Sequence, residues 1–248
     1  MDVYGIIGKK LGHSFSPAYF NKKFRSLKLD ADYRKFELKH IVELPDLIRH
    51  TSQLKGFNVT VPYKQSIIPI LDELDPLAKT IGAVNTVKVL KIGNKPKLIG
   101  FNTDITGFQK ACQQFLSGPK VKNALILGTG GSSKAVAHAL RKMDFRVQFV
   151  SRHPSENQIT YQLLNEEIIK NHLLIINTTP LGMFPETEKY PEIPFQYLTN
   201  QHFLFDLIYN PKQTLFLKRG SDYGARTENG LNMLRYQAEA SWAIWQEI

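Results

Sequence analysis

The chain of 248 residues contains a single cysteine, Cys112, so no internal disulfide can staple it, and a lone thiol fits a reducing compartment. No apolar run reaches about 18 residues, the length a membrane-spanning helix needs. Met1-Asp-Val-Tyr-Gly lacks a basic start followed by a long apolar region, so no export signal is expected and the cytoplasm is the expected location. The seven histidines are dispersed and no Cys/His cluster has ligand spacing, which leaves no metal site to expect. Lys and Arg number 32 against 22 Asp and Glu, a formal charge of +10, yet they occur singly or in pairs and without an aromatic platform. That pattern argues against a nucleic-acid partner and suits small anionic ligands. Cys112, in Lys-Ala-Cys-Gln-Gln-Phe, reads as a helix residue rather than a nucleophile.

What is present is the composition of a soluble globular protein, 42% hydrophobic and 22% charged, at a length that holds one large domain or two ordinary ones. The most informative stretch is Leu125-Ile-Leu-Gly128-Thr129-Gly130-Gly131-Ser132-Ser133. An apolar run breaks into glycines and a small-residue helical pattern follows, as at a buried strand, a tight turn and a helix N-terminus. Such a terminus offers N–H groups and a positive dipole end to a phosphate. A glycine-rich turn alone also suits a purely structural role. From Val121 onward strand and helix patterns alternate, the signature of a doubly wound parallel sheet. The strand Arg146–Val150 ends at Ser151-Arg152-His153, where a dinucleotide fold reads the adenosine ribose. An acidic residue there selects NAD; Arg152 stands there instead, which argues for NADP. A helical stretch is expected over Ile159–Lys170, and further strands end at Asn177-Thr178 and at Asp206-Leu207.

The first third of the chain carries polar groups at element ends. Ser16 before Pro17 predicts a helix with Ser16 as N-cap and Phe20, Phe24 and Leu27 on its buried face. Ser14 and Ser16 flank one residue and can face one anion, although ordinary capping explains them equally. In Gly56-Phe-Asn58-Val-Thr60-Val-Pro-Tyr-Lys64, strand alternation places Asn58 and Thr60 on one face. Lys64 falls in the first turn of the next helix, where it opposes the dipole. Lys91-Ile-Gly-Asn-Lys95 reads as a hairpin turn, so Asn85 and Asp104 lie at ends of neighbouring strands. A plain N-cap is the simplest role for Asp104. The tail from Arg226 reads as an amphipathic helix started by Asn229-Gly230, with Leu231, Leu234, Ala238 and Trp242 as its apolar stripe and Gln237 beside it.

Taken together, Gly12-His-Ser14-Phe-Ser16-Pro17, Asn58-Val-Thr60-Val-Pro-Tyr-Lys64, Asn102-Thr-Asp104, Gly128-Thr-Gly-Gly-Ser132, Asn177-Thr-Thr-Pro-Leu-Gly-Met183 and Asn229-Gly230-Leu resemble the shikimate dehydrogenase family over nearly the whole length. The resemblance implies an α/β fold of two domains: an N-terminal substrate domain, 1–104, completed by a C-terminal helix, 230–248, and a Rossmann-type dinucleotide-binding domain, 105–229. It implies reduction of 3-dehydroshikimate to shikimate with NADPH, a step of chorismate and aromatic amino-acid biosynthesis. By the same resemblance Lys64 and Asp104 are the catalytic pair. Ser14 and Ser16 hold the substrate carboxylate, and Asn58, Thr60, Asn85, Tyr209 and Gln237 bind its carboxylate or ring hydroxyls. Gly128, Thr129, Gly130, Gly131 and Ser132 cradle the pyrophosphate. Ser151, Arg152 and His153 surround the ribose phosphate, and Thr178, Leu207 and Gly230 seat the nicotinamide half. The implied partner is the small substrate, with neither nucleic acid nor membrane, and a homodimer at most. One departure stands out: the family's second basic residue beyond its Asn-Arg-Thr motif is replaced by Glu156, which weakens the expected preference for NADP. A quinate/shikimate dehydrogenase using both cofactors and a non-catalytic ligand-sensing relative are the alternative readings, and the intact Lys64 and Asp104 speak against the second.

Overall fold

The structure is a computed structural model that describes residues 1–12, 14–92, 95–116 and 121–247. His13 and the turn residues Gly93 and Asn94 lie outside the described residues. The chain divides into two compact units: Met1–Thr103 with Ala238–Ile248, and Asp104–Gln237.

In the first unit, β1 (Asp2–Gly8), α1 (Ser16–Ser26), β2 (Ala31–Glu37), α2 (Leu44–His50) and β3 (Leu54–Val59) come first. The short α3 (Tyr63–Ser66), β4 (Glu73–Leu74) and α4 (Pro76–Ile81) lead to β5 (Thr86–Ile92) and β6 (Lys95–Phe101). The six strands form one mixed sheet in the order β2-β1-β3-β5-β6-β4. β1 is parallel to β2 and β3, while β5 is antiparallel to both β3 and β6, as the hairpin expectation requires. Val3, Ile7, Phe57, Val59 and Val87 bury one face against α2 to α4. The other face meets an aromatic cluster of Tyr4, Phe20, Phe24, Tyr33 and Trp245. β1 is central and buried on both faces, which is why it reads as a nearly continuous apolar run.

Phe20 and Phe24 are buried as expected, but Leu27 is 51% exposed because α1 has already ended at Ser26. Ser16 is not the N-cap. Phe15 holds that position, and Ser16 is the first helical residue, buried and turned inward.

In the second unit, α5 (Asp104–Phe115) precedes β7 (Asn123–Leu127), α6 (Gly131–Lys142), β8 (Arg146–Val150) and β9 (Gln158–Ile159). Then come α7 (Glu166–Asn171), β10 (Leu174–Asn177), β11 (Phe203–Asp206), α8 (Leu215–Asp222), β12 (Arg226–Glu228) and α9 (Leu231–Gln246), whose last turns belong to the first unit. The sheet is parallel throughout, in the order β12-β11-β10-β7-β8-β9. The reversal of strand order at β7 is the switch point where open α/β sheets bind ligands beyond their C-terminal strand ends.

Two segments differ from the sequence expectation. The stretch Ile159–Lys170 is not one helix: β9, a single turn at Tyr161–Leu163 and α7 replace it, with Asn165 capping α7 through Oδ1 and the Ile168 N–H at 2.9 Å. Arg226–Glu228 is an edge strand beside β11, and α9 begins only after Asn229, whose Oδ1 accepts from Leu231 N at 3.0 Å. The helix stripe also shifts. Trp242 is half-buried, and the buried positions of the helix are Met233, Ala238, Ser241 and Trp245.

Trp245 docks the last turns of α9 onto the sheet. Its Nε1 donates to Val87 O at 3.0 Å, and a Cβ added at Gly56 would lie 2.3 Å from that nitrogen. Gly56→Ala therefore displaces the indole and strands a buried carbonyl. We expect a loss of roughly 2–4 kcal/mol, the sum of overpacking and an unmet hydrogen bond, read as a lower urea midpoint.

Candidate active site

Ser14, Ser16, Asn58, Thr60, Lys64 and Asn85 belong to the first unit; Asp104, Tyr209, Gln237 and the expected cofactor residues belong to the second.

In the first unit the polar residues gather where β3 ends and β5 begins. Asn58 lies near the end of β3, and Thr60 follows it with its N–H bound to Ile7 O at 2.9 Å. Asn85 immediately precedes β5 and is buried. Its Oδ1 accepts from Thr103 N at 2.7 Å and from the hydroxyls of Thr103 and Thr86 at 3.1 Å each. A backbone N–H can only donate, so it fixes which end of this carboxamide is oxygen, and Nδ2 is the donor end. Asn58 is oriented likewise: Tyr33 Oη donates to Oδ1 at 2.7 Å, and Nδ2 turns toward Ser241 Oγ at 2.9 Å and Thr86 Oγ1 at 3.1 Å. Lys64 sits half-buried on α3, where its carbonyl receives Val84 N at 2.7 Å and ties the helix to the strand end. Sequence reasoning missed Tyr33, Thr86 and Ser241. Ser241 left a faint trace, as a small polar residue spaced three and four positions from Ala238 and Trp245 on one helix face.

In the second unit the expected cofactor residues line the C-terminal edge of the parallel sheet. Gly128 follows β7 with φ +105°, and a Cβ there would lie 2.9 Å from Thr178 Oγ1. Glycine is required on both counts. Thr178 N and Oγ1 both donate to Leu127 O, at 3.0 and 2.6 Å. At Gly130 a Cβ would meet nothing within 4 Å, and no side chain caps α6. An uncapped twelve-residue helix behind an open glycine is the geometry that admits a pyrophosphate against backbone N–H groups. The residues present therefore fit a dinucleotide. Thr129 is exposed, and Gly131 and Ser132 are half-buried in the first turn of α6. Ser133, in place of a third fingerprint glycine, is buried and donates to Gly130 O at 2.6 Å, which tightens the turn. Gly230 packs on Leu207: a Cβ would come within 2.0 Å of Leu207 O. Tyr209 is half-buried beyond β11, and Gln237 packs on Gly107 of α5. Asp104, buried, opens α5 three residues past β6.

Arg152, just past β8, lines a cavity of about 630 Å³ with Tyr161, Thr179, Leu181 and Tyr190. Ser151 and His153 form a tight turn beside it, with Ser151 Oγ donating to His153 O at 3.1 Å. Burial pushes the Tyr161 phenol up to about 12, while the positive charge of Arg152 pulls the other way. Cys112 is buried in α5 with its thiol pushed up to about 12 by desolvation, the setting of a packing residue.

A carboxylate that the sequence placed at a strand end without a role sits at the end of β11. Asp206 is fully buried; it accepts from Thr214 Oγ1 at 2.6 Å, Ile208 N at 3.0 Å and Asn177 Nδ2 at 3.1 Å. Desolvation outweighs those three donors and raises it to about 6. Its signal in sequence was a charged residue closing a buried apolar strand.

Known proteins share this architecture. Residues 6–87 match the family model described as the shikimate dehydrogenase substrate binding domain. The chain is 39% identical to the shikimate dehydrogenase (NADP+) of Desulforamulus reducens, over 98% of this chain and 89% of that protein. It superposes on a crystal structure of a shikimate dehydrogenase in complex with NADP+ with TM-score 0.88 at 33% identity, covering 100% of this chain and 91% of that one. A second crystal structure, of the Thermus thermophilus shikimate 5-dehydrogenase with NADP(H) and shikimate, gives TM-score 0.85 at 29% identity, covering 100% and 94%.

The raised Asp206 has a consequence for stability. Below about pH 4 its carboxyl is neutral in both folded and unfolded chains; between about 4 and 6 only the unfolded chain ionises. The contribution of this group thus falls as pH rises through that window. Asp206→Asn removes the titration, so the stability of the variant relative to the parent should improve by up to about 3 kcal/mol between pH 4 and 7, read by urea unfolding at each pH.

Proposed function

The chain belongs to the shikimate dehydrogenase family, and we propose from this membership and its own residues that it interconverts 3-dehydroshikimate and shikimate with NADP as cofactor. The observation that carries the reading is that one chain holds both a dinucleotide-binding sheet edge and, at the β3 and β5 ends, oriented carboxamides beside hydroxyls suited to a polyol acid. We assign 1–104 with 230–248 to the substrate and 105–229 to the cofactor. The match of residues 6–87 to a substrate-binding domain supports the first assignment.

Reduction of a ketone needs a hydride and a proton. The nicotinamide cofactor, when bound, supplies the hydride. The Lys64 ammonium gives the proton to the carbonyl oxygen and takes it back in the reverse direction, and Asp104 supplies the complementary carboxylate. Ser14 and Ser16 accept the substrate carboxylate at the start of α1. Thr60, Asn85, Tyr209 and Gln237 orient the ring through its hydroxyls, with Asn85 acting through its Nδ2 donor end. Asn58 joins them in binding the substrate's carboxylate or ring hydroxyls. Gly128, Thr129, Gly130, Gly131 and Ser132 receive the pyrophosphate at the N-terminus of α6. Ser151, Arg152 and His153 hold the ribose phosphate, and Thr178, Leu207 and Gly230 fix the nicotinamide end. A cytoplasmic setting fits the lone, buried Cys112. Among the described residues no helix is long and apolar enough to cross a membrane. A homodimer is tested by the mass of the particle in solution.

The direct test is NADPH formation from shikimate and NADP+ by the purified protein; no absorbance change at 340 nm with either NADP+ or NAD+ would reject the reading. Lys64→Ala should lower kcat by roughly two to four orders of magnitude, the range for a lost general acid or oxyanion donor, with a smaller effect on KM for shikimate. Turnover close to the parent would remove Lys64 from the mechanism. Arg152→Ala should raise KM for NADP+ far more than KM for NAD+, because only the former carries the phosphate. Equal changes would show that Arg152 does not read that group.

A further inference from the structure

We propose that Tyr33 and Ser241 are positioning residues for the substrate, holding the Asn58 carboxamide and the Ser16 hydroxyl in one fixed relation. The inference rests on the assignment of Ser16 and Asn85 to the substrate made above.

Tyr33 is enclosed on all sides. Its ring stacks on Phe20 with centroids 4.6 Å apart at 11°, and Trp245 approaches at 6.3 Å. A phenol so buried has to place its hydroxyl on a partner. It places it on a residue of the proposed site, donating to Asn58 Oδ1 at 2.7 Å, with the Ser16 side chain beside it. Burial holds this hydroxyl well above the usual tyrosine range, so it is a donor at every pH of use.

Fixing the oxygen end of Asn58 fixes its other end. The amide protons turn toward Ser241 Oγ at 2.9 Å, Thr86 Oγ1 at 3.1 Å and Asn85 O at 3.2 Å. Ser241 is fully buried on α9 and closes the loop, 2.8 Å from Thr86 Oγ1 and 3.2 Å from Thr103 Oγ1. The two threonine hydroxyls then reach Asn85 Oδ1 at 3.1 Å each. An unbroken run of hydrogen bonds therefore leads from Tyr33, through Asn58, Ser241 and the threonines, to Asn85. One end lies beside Ser16, assigned to the substrate carboxylate, and the other is Asn85, assigned to a ring hydroxyl. A run serving the fold alone has no reason to begin beside the one and end on the other, and apolar side chains of the same shape would fill the space as well. The distance between carboxylate and hydroxyl on the ligand is rigid, so a rigid link between their receptors spares the ordering that loose receptors would need on binding.

Tyr33→Phe keeps the stacked ring and removes only the hydroxyl; Ser241→Ala removes the hydroxyl at the helix end. Each should raise KM for shikimate roughly tenfold, the effect of one unmet hydrogen bond, with KM for NADP+ unchanged and the urea midpoint only modestly lowered. In Tyr33→Phe combined with Ser16→Ala, the rise should be smaller than the product of the single effects, because the two share one link. KM for shikimate within about twofold of the parent in both single variants, or an equal rise of both KM values, would overturn the proposal. Full multiplication of the two effects would overturn the link through Ser16. An unchanged KM in Ser16→Ala beside a raised KM in Tyr33→Phe would instead overturn the Ser16 assignment and support positioning through Asn58.

Discussion

A carboxamide buried at the end of a strand has to meet donors on one side and acceptors on the other, and both units are organised around that requirement. Asn85 faces it in the first unit and Asn177 in the second, and the half-buried Asn58 is held in the same way. A made hydrogen bond adds only about 1 kcal/mol, whereas an unmade buried one costs about 1–3 kcal/mol, so it is the penalty that fixes orientation. Asn85 is set by Thr103 N, Asn58 by the enclosed Tyr33, and Asn177 by Thr179, whose N–H and hydroxyl both donate to Oδ1 at 2.9 and 2.7 Å. Each oriented amide holds a loop in place, and the loops carry the residues assigned to ligands.

In the second unit the same logic makes the sheet edge stiff where the cofactor residues sit. Asn177 joins β10 to β11 through Asp206, and Asp206 joins β11 to Thr214 at the cap of α8. The buried carboxyl raised to about 6 is the stability penalty of this clamp. It holds Thr178 and Leu207 just past the register-paired ends Asn177 and Asp206, one against Gly128 and the other against Gly230. Both glycines are places where a Cβ would strike a neighbouring backbone or side chain. The opening at Gly130 is the contrast, since its absent Cβ leaves empty space instead of a contact.

The alternation of strands and helices, the buried central strands and the glycine turn were legible in sequence because each rests on local spacing. So were Asn58, Asn85 and Asn177, which end apolar runs. The split of Ile159–Lys170 was not, because Asn165 caps a new helix inside a stretch whose apolar spacing looks continuous. The strand at Arg226–Glu228 was hidden for a related reason: only pairing with β11 makes it extended. Leu27 misled because helical spacing continues past the residue where α1 ends. Tyr33 was illegible and Ser241 left only its spacing from Ala238 and Trp245. A tyrosine in a strand and a serine in a helix are ordinary, and only the fold brings them to the same amide, across 25 and 183 positions of chain respectively.

In the proposed assignment the net charge of +10 does not decide the cofactor; the local charge at Arg152 does. A phosphate monoester carries up to two negative charges, and a guanidinium meets it with a planar fork of donors. Around the cavity at Arg152 the other ionisable groups largely oppose that role. Glu188 and Glu192 line its wall, and Lys189 is drawn into an ion pair with Glu186. Glu156 is exposed on the loop that follows His153. The carboxylates repel a second anion while leaving an uncharged ribose hydroxyl untouched. On the proposed assignment, preference for NADP over NAD is a contest between one guanidinium and its acidic neighbours, with the α6 N-terminus serving both cofactors equally through the shared pyrophosphate.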